Sequence, residues 1–345
     1  MSSRTTRWAA LGALALTGAL ALTGCSGSTA DPGEASSDPA GSDAGFPVTF
    51  EHLYGETTIE SAPTRVATWG WGATDAVLAL GVVPVAIPSD AYGGGEDLVA
   101  PWVEDAVAEL GGPEPTLLDN STGELSIEEL LAADPDVLIA SYSGLTEEEY
   151  ETVTGAGIPV VAPETELWAT PWREVIRDAG KALGREDLAA TVQEDLDAQI
   201  ADAAEAHPEF EGVSIAWINP TGDGSYWLVG STTPPMRFIG QLGFRMPEAL
   251  LDVVGDLESA QLSAEQLHLA DTDVLITRVA SEGEEAALLE DPIFSQLQVV
   301  QDDRAIVFTG PDDPTYASLS FSTVLSLPFA LEQLTPMLEE AVSRL

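Results

Sequence analysis

Positive charge is what this chain has least of. Twelve Lys and Arg side chains face 58 Asp and Glu, a formal net charge of −46 over 345 residues. A surface this acidic repels nucleic-acid phosphate and anionic lipid head groups and excludes both as partners. Screening over ~8 Å at physiological ionic strength still allows a local positive pocket. Cysteine is nearly absent: Cys25 is the only one. The chain therefore has no internal disulfide and no thiolate metal site. Its three histidines, His52, His207 and His268, are scattered along the sequence, whereas direct metal ligation needs converging His and carboxylate groups. There is no G-x-S-x-G elbow and no histidine beside an activated nucleophile. The glycines Gly93 to Gly95 are not followed by the G-K-[ST] of a phosphate loop. A secreted hydrolase, the enzymatic alternative, thus has no motif to stand on, and the chain reads as a non-enzyme.

Long apolar runs are also missing, with one short exception. Ala9 to Leu22 follows Arg4 and Arg7 and falls short of the ~20 apolar residues that span a bilayer. It suits the h-region of a signal peptide. The run ends in Leu22-Thr23-Gly24-Cys25, which resembles a lipobox. That implies removal of residues 1–24 and acylation of Cys25, of the palmitate kind, anchoring the protein on the outer face of the cell membrane. The blander alternative is an ordinary signal peptide that happens to contain a cysteine. Cleavage there removes two arginines and no acid, leaving 10 basic and 58 acidic side chains, net −48. Residues 26–45 are mostly Ser, Gly, Ala, Pro and Asp with no large apolar side chain, so 25–45 reads as a flexible tether.

What is present in abundance is an internal repeat. Leu125 to Ile139 reads LSIEELLAADPDVLI and Leu262 to Ile276 reads LSAEQLHLADTDVLI, identical at ten of fifteen positions. Each copy opens with a serine placed to cap a short helix, passes through an Asp-containing turn, and ends in an apolar run suited to a buried parallel strand. Two such units predict two lobes of α/β construction. In the first, strands are expected at 65–68, 84–87, 136–140 and 159–162, with a helix over 74–80. In the second, strands are expected at 214–218, 274–277 and 305–308, with a helix over 235–242. The stretch 320–345 reads as helix interrupted near Pro328 and Pro336. Between the lobes, 171–206 carries apolar residues at helical spacing. It is either one long helix kinked at Gly184, acting as a stiff spar with little hinge motion, or a pair of shorter helices. The expected organisation is an N-terminal lobe over 46–170, a connecting helix over 171–206 and a C-terminal lobe over 207–345.

The order of these pieces resembles a known family, the helical-backbone solute-binding lipoproteins of ABC importers for ferric siderophores, haem and cobalamin. The similarity runs through GETTIESAPTRVATWGWGATDAVLALGVVPVAI, SIEELLAADPDVLIAS, WREVIRDAGKALGREDLAA, MRFIGQLGF, DPIFSQLQVVQDDRAIVF and the final SLSFSTVLSLPFALEQLTPML. The resemblance implies the class III periplasmic-binding-protein fold: two Rossmann-like lobes with parallel-rich sheets, joined by a long backbone helix. It implies a monomer that delivers its solute to a permease dimer with its ATPase. It also implies that Glu128 and Glu265, the matched acids of the repeat, contact permease arginines. The alternative for both is a favourable acid near a helix N-terminus.

Ligands of open α/β sheets bind beyond the carboxyl ends of the strands. That places Trp69, Trp71, Tyr92, Ser141, Tyr142 and Trp168 in the first half of a cleft, and Asn219, Trp227, Arg278 and Tyr316 in the second. Any one of these aromatics is as suited to core packing as to ligand contact. Arg278 is the cation expected to face the ligand, or else a surface partner of Glu282; Arg237 is second, and Arg65 is read as structural. A ferric siderophore brings its own iron ligands and needs only aromatic walls and a cation, so no cofactor or protein-bound metal is expected. Haem through a tyrosine, or cobalamin against the tryptophans, are the alternatives within the family.

Overall fold

A computed structural model describes residues 45–310 and 313–345. Cys25, the signal segment and the tether lie outside the described residues. An antiparallel hairpin of β1 (Val48–His52) and β2 (Gly55–Ile59) comes first. The first lobe runs β3 (Val66–Thr68), α1 (Ala73–Ala79), β4 (Ala86–Pro88), α2 (Pro101–Leu110), β5 (Thr116–Leu118), α3 (Ile127–Ala132), β6 (Val137–Ile139), α4 (Glu147–Gly155) and β7 (Val160–Val161). Its five strands are all parallel, in the order β5-β4-β3-β6-β7.

Two helices follow, α5 (Trp172–Leu183) and α6 (Glu186–Ala206). The second lobe then runs β8 (Ile215–Pro220), β9 (Tyr226–Val229), α7 (Pro234–Gln241), α8 (Glu248–Val254), β10 (Ser259–Leu262), a 3₁₀ helix over Ala264–Ala270, and β11 (Val274–Val279). It ends with α9 (Glu282–Leu289), α10 (Gln298–Gln301), β12 (Ala305–Thr309), α11 (Pro314–Phe321) and α12 (Ser326–Val342). This sheet has the order β10-β9-β8-β11-β12 and is mixed: β8, β11 and β12 are parallel, while β9 and β10 add antiparallel strands at one edge.

The repeat earns its polar identities through strand register. Asp136 accepts from the Thr64 amide at 2.7 Å, the Thr64 hydroxyl at 2.9 Å and the Arg65 amide at 3.0 Å. Asp273 accepts from the Ser214 amide at 2.9 Å and hydroxyl at 2.7 Å. In each lobe the aspartate of the D-V-L-I run therefore ties down the chain entering the central strand, β3 or β8, and fixes the parallel pairing Val66–Val137 or Ile215–Val274. Arg65 is structural, as read: its guanidinium donates to the carbonyls of Asp134 and Ala133, both at 2.6 Å.

The connector takes the second of the two expected forms, a pair of shorter helices rather than a single spar. Gly184 takes the left-handed conformation, φ +64°, and ends α5 as a C-cap glycine does. The chain then reverses, because Arg173 near the start of α5 forms a two-pronged ion pair with Asp197, far along α6. The two helices are a hairpin. α5 packs on α1 of the first lobe, while α6 packs on α7 and α12 of the second. Prolines did not place the break in the tail either. Pro328 sits in the first turn of α12, where no amide is needed, and Pro336 lies inside that helix. The interruption falls instead at Ser322, φ +48°, between α11 and α12.

The lobes share apolar material. One buried cluster is continuous from Val66, Val77 and Ile139 through Ile176, Leu196 and Ile200 to Ile215, Ile276 and Leu334. A second, around Leu138, Leu130 and Val153, belongs to the first lobe alone. A third forms where α2 meets α11, joining Leu78, Trp102 and Ala317. The described residues, from 45 onward, make one compact unit.

Candidate functional site

The loop after β3, Gly70-Trp71-Gly72, carries an indole that is 38% exposed. Its amide bonds the Tyr142 carbonyl at 2.9 Å, which ties it to the loop after β6. The Trp71 ring meets Tyr142 edge-on at 6.3 Å, Trp168 at 6.2 Å and Phe321 at 4.9 Å. Tyr142 and Trp168 close the triangle at 6.0 Å. Trp168 is 48% exposed and sits at φ +57°, a left-handed position unusual for a bulky residue. Gly144 makes room for it, since a Cβ there would lie 2.6 Å from the indole nitrogen. Strain and exposure together cost free energy with no structural return, which is how a built binding surface looks.

Phe321, at the end of α11, joins this wall to the second lobe. It packs on Tyr92 at 5.8 Å and on Trp102 at 5.9 Å. Tyr92, in the loop after β4, faces Arg278, whose guanidinium carbon stands 5.6 Å from the Tyr92 centroid and 4.8 Å from that of Tyr316. Tyr316 and Asn219 are linked by a 3.0 Å hydrogen bond, and Asn219 Oδ1 accepts from the Arg278 amide at 3.0 Å. Trp227, 49% exposed, is directly opposite Asn219 across the β8–β9 pair, so both side chains share one face.

Eight of the ten residues placed beyond strand ends from sequence thus form one surface that crosses from lobe to lobe. Ser141 is buried, 1% exposed, and Trp69 lies apart. Trp69 extends the β3 ladder, its amide bonded to the Ile139 carbonyl at 2.9 Å, and is 2% exposed in the core of the first lobe. Two placements also change. Tyr316 is in the first turn of α11 rather than a loop, and Arg278 and Asn219 lie inside β11 and β8 rather than after them. Arg237 lies elsewhere, on an exposed groove with Trp172 and Arg173. Phe321, the link of the whole wall, is absent from the sequence-based selection. Its one signal is an aromatic set among Ser318, Ser320, Ser322 and Thr323.

Electrostatics single out Arg278. One of its guanidinium nitrogens is buried without a hydrogen-bond partner, and no carboxylate pairs with it among the described residues. Glu282 is therefore not its partner. Ser141 Oγ is likewise buried and unpartnered. Burial, and then the charge of Glu258, push the Tyr142 phenol up; burial and then Tyr92 push the Tyr316 phenol up against the opposing bond from Asn219. Both stay protonated donors near neutral pH. Beneath Trp71 and Phe321 lies Asp75, fully buried on α1, which accepts from Trp102 Nε1 at 2.9 Å and from the Thr323 hydroxyl. Burial raises its carboxyl to about 6, the two hydrogen bonds opposing.

Over residues 66–313 the sequence matches the family described as periplasmic binding protein. No curated protein matches it. Among solved structures, PiaA of Streptococcus pneumoniae in complex with ferrichrome is 31% identical, with a TM-score of 0.72, covering 86% of this chain and 99% of that one. A periplasmic solute-binding protein of Mycobacterium smegmatis is 28% identical, with a TM-score of 0.73, over 87% of this chain and all of the other. SirA of Staphylococcus aureus, complexed with staphyloferrin B, is 20% identical at a TM-score of 0.64, over 85% and 98%, a likeness of fold alone.

Proposed function

The chain belongs to the periplasmic binding protein family, and from that premise we propose that it captures a ferric siderophore between its lobes for an ABC importer. The observation that carries this is the aromatic surface holding the Arg278 guanidinium, which no carboxylate pairs among the described residues. A ferric siderophore presents a bulky organic shell and a cluster of iron-bound oxygens. The shell needs apolar walls, and the oxygens need donors. Trp71, Tyr142, Trp168, Phe321 and Trp227 supply the first; Arg278 and the protonated tyrosines supply the second.

The charge balance narrows the class. A ferric tris-catecholate carries a threefold negative charge, and a single cation in a protein of net charge −46 leaves most of it opposed. A ferric hydroxamate is close to neutral and fits the site better. The ferrichrome held by PiaA is consistent with that reading. Haem fits less well, because tyrosine ligation of haem iron needs a phenol that loses its proton, and those of Tyr142 and Tyr316 are pushed the other way.

The remaining roles rest on the same reading. Glu128 and Glu265 are exposed in the first turns of the two repeated helices and would meet permease arginines through bidentate pairs. Cys25 would hold the lipid anchor on the outer face of the membrane. The protein would act as a monomer at its permease.

Titrating the protein with ferric hydroxamates, ferric catecholates, ferric citrate, haemin and cyanocobalamin tests the proposal through tryptophan fluorescence. Trp71, Trp168 and Trp227 line the surface, so saturable quenching at one equivalent is expected with a ferric hydroxamate. Tighter, stoichiometric quenching by haemin or cyanocobalamin, with none by any ferric siderophore, would overturn it.

A further inference from the structure

Histidines that are scattered in sequence are not all isolated in space. At the end of α6, His207 Nδ1 lies 3.1 Å from a Glu209 carboxylate oxygen and 3.2 Å from a Glu339 carboxylate oxygen, and the three atoms all fall within 4.8 Å of one another. Glu339 belongs to α12, more than a hundred residues away along the chain. None of the three takes part in the interlobe surface. We propose that His207, Glu209 and Glu339 form a binding site for a divalent first-row transition ion, zinc being the best fit, which staples the end of the connector to α12.

Three observations support it. Hydrogen bonding leaves the cluster half satisfied: a single Nδ1–H serves one carboxylate well, yet two converge on it. Among the described residues neither glutamate has another cationic partner. A divalent ion at that point neutralises both acids at once.

The spacing also suits a metal. Zinc bonds of about 2.1 Å at tetrahedral angles set ligand atoms ~3.4 Å apart, close to the two separations seen. One imidazole nitrogen with two carboxylate oxygens selects zinc and its neighbours over calcium or magnesium, which prefer oxygen alone. Finally, the imidazole is held in place. It stacks on Phe210 at 4.9 Å with a 13° interplanar angle, and Phe210 is itself buried against Phe244. The glutamates are about half exposed, which leaves a coordination position open to water. The staple would sit one turn beyond Pro336, where α12 lacks a backbone hydrogen bond.

The test is calorimetric titration of the full chain with zinc chloride in excess magnesium chloride, which occupies the diffuse acidic surface. One equivalent of zinc is expected to bind. Glu339→Gln should weaken it at least ~10-fold, the usual cost of losing a ligand-shell group, and His207→Ala should abolish it. Saturating zinc at about a hundred times Kd should raise the melting temperature by roughly 5 °C in the parent chain and in neither variant. Glu339→Gln changes a half-exposed helix position and keeps the fold, so it decides alone if His207→Ala melts early. Zinc heats that are the same in all three proteins, or no zinc binding above the magnesium background, overturn the proposal.

Discussion

Arg278 is costly where it stands. Its stem leaves β11 between Tyr92 of one lobe and Tyr316 of the other, and a buried guanidinium nitrogen has no partner among the described residues. An unmade hydrogen bond at a buried charged group costs more than an ordinary one returns. A ligand oxygen removes that penalty, so the residue stores affinity for something that brings acceptors. Arg278→Gln is expected to weaken ferric-hydroxamate binding by about 10- to 100-fold, matching the 1.5–3 kcal/mol of a hydrogen bond to a charged group. Arg278→Lys should recover only part, since an ammonium keeps the charge but loses the planar fork. Quenching titrations read both; unchanged affinity in Arg278→Gln would make the residue structural.

Asp75 belongs to the scale of elements, because its Oδ1 accepts both from Thr323, at the bend between α11 and α12, and from Trp102 of α2, and so ties both to α1. The folded carboxyl titrates near 6, against about 4 unfolded. Folding therefore favours the protonated acid. Below about pH 4 both states are protonated and this contribution is fully present. As pH rises through 6 the folded state must bury a charge, and stability is lost, on the order of 3 kcal/mol at neutral pH. Asp75→Asn keeps an acceptor without the charge. It is expected to be more stable than the parent in urea unfolding at pH 7.5, the gain shrinking to nothing near pH 4. A variant equally destabilised at both pH values would mean that the joint needs an ionised carboxylate.

The same scale shows what the sequence could and could not tell. Parallel strands were legible because β6 and the start of β11 share the apolar run Val-Leu-Ile, each preceded by the aspartate that fixes its neighbour. Much of the candidate surface was legible because side chains at and beyond the carboxyl ends of the strands converge whatever the loops do. Trp69 and Trp71 separate for a local reason: the first continues the β3 ladder into the core, and the second follows Gly70 out of it. One helix or two stayed open in the connector because apolar spacing continues across Gly184, and the reversal into a hairpin is marked only by that left-handed glycine. Phe321 was hidden in a tail that reads as one helix, where the break at Ser322 has no proline to announce it. The antiparallel strands β9 and β10 are four residues each and separated by α7 and α8, too short for their alternation to stand out.

At the scale of the molecule, the continuous core through α1, α5, α6 and α12 limits how far the lobes can move apart. Wide opening would expose buried apolar surface at roughly 25 cal/mol per Å². Release at the membrane then calls for a partner that holds both lobes at once, and the repeat supplies one exposed acid on each, Glu128 and Glu265. With net charge −46, the protein already approaches basic surfaces faster than neutral ones, so general attraction and specific docking must be told apart. Charge reversal at two positions alters net charge by less than a tenth, and steering changes little. Glu128→Arg with Glu265→Arg is therefore expected to abolish siderophore uptake into vesicles carrying the permease and its ATPase, while the quenching titration stays as in the parent. Each single reversal should give an intermediate rate, because one rim still docks. Uptake by the double variant at the parental rate would return both glutamates to the ordinary role of first-turn acids opposite a helix dipole.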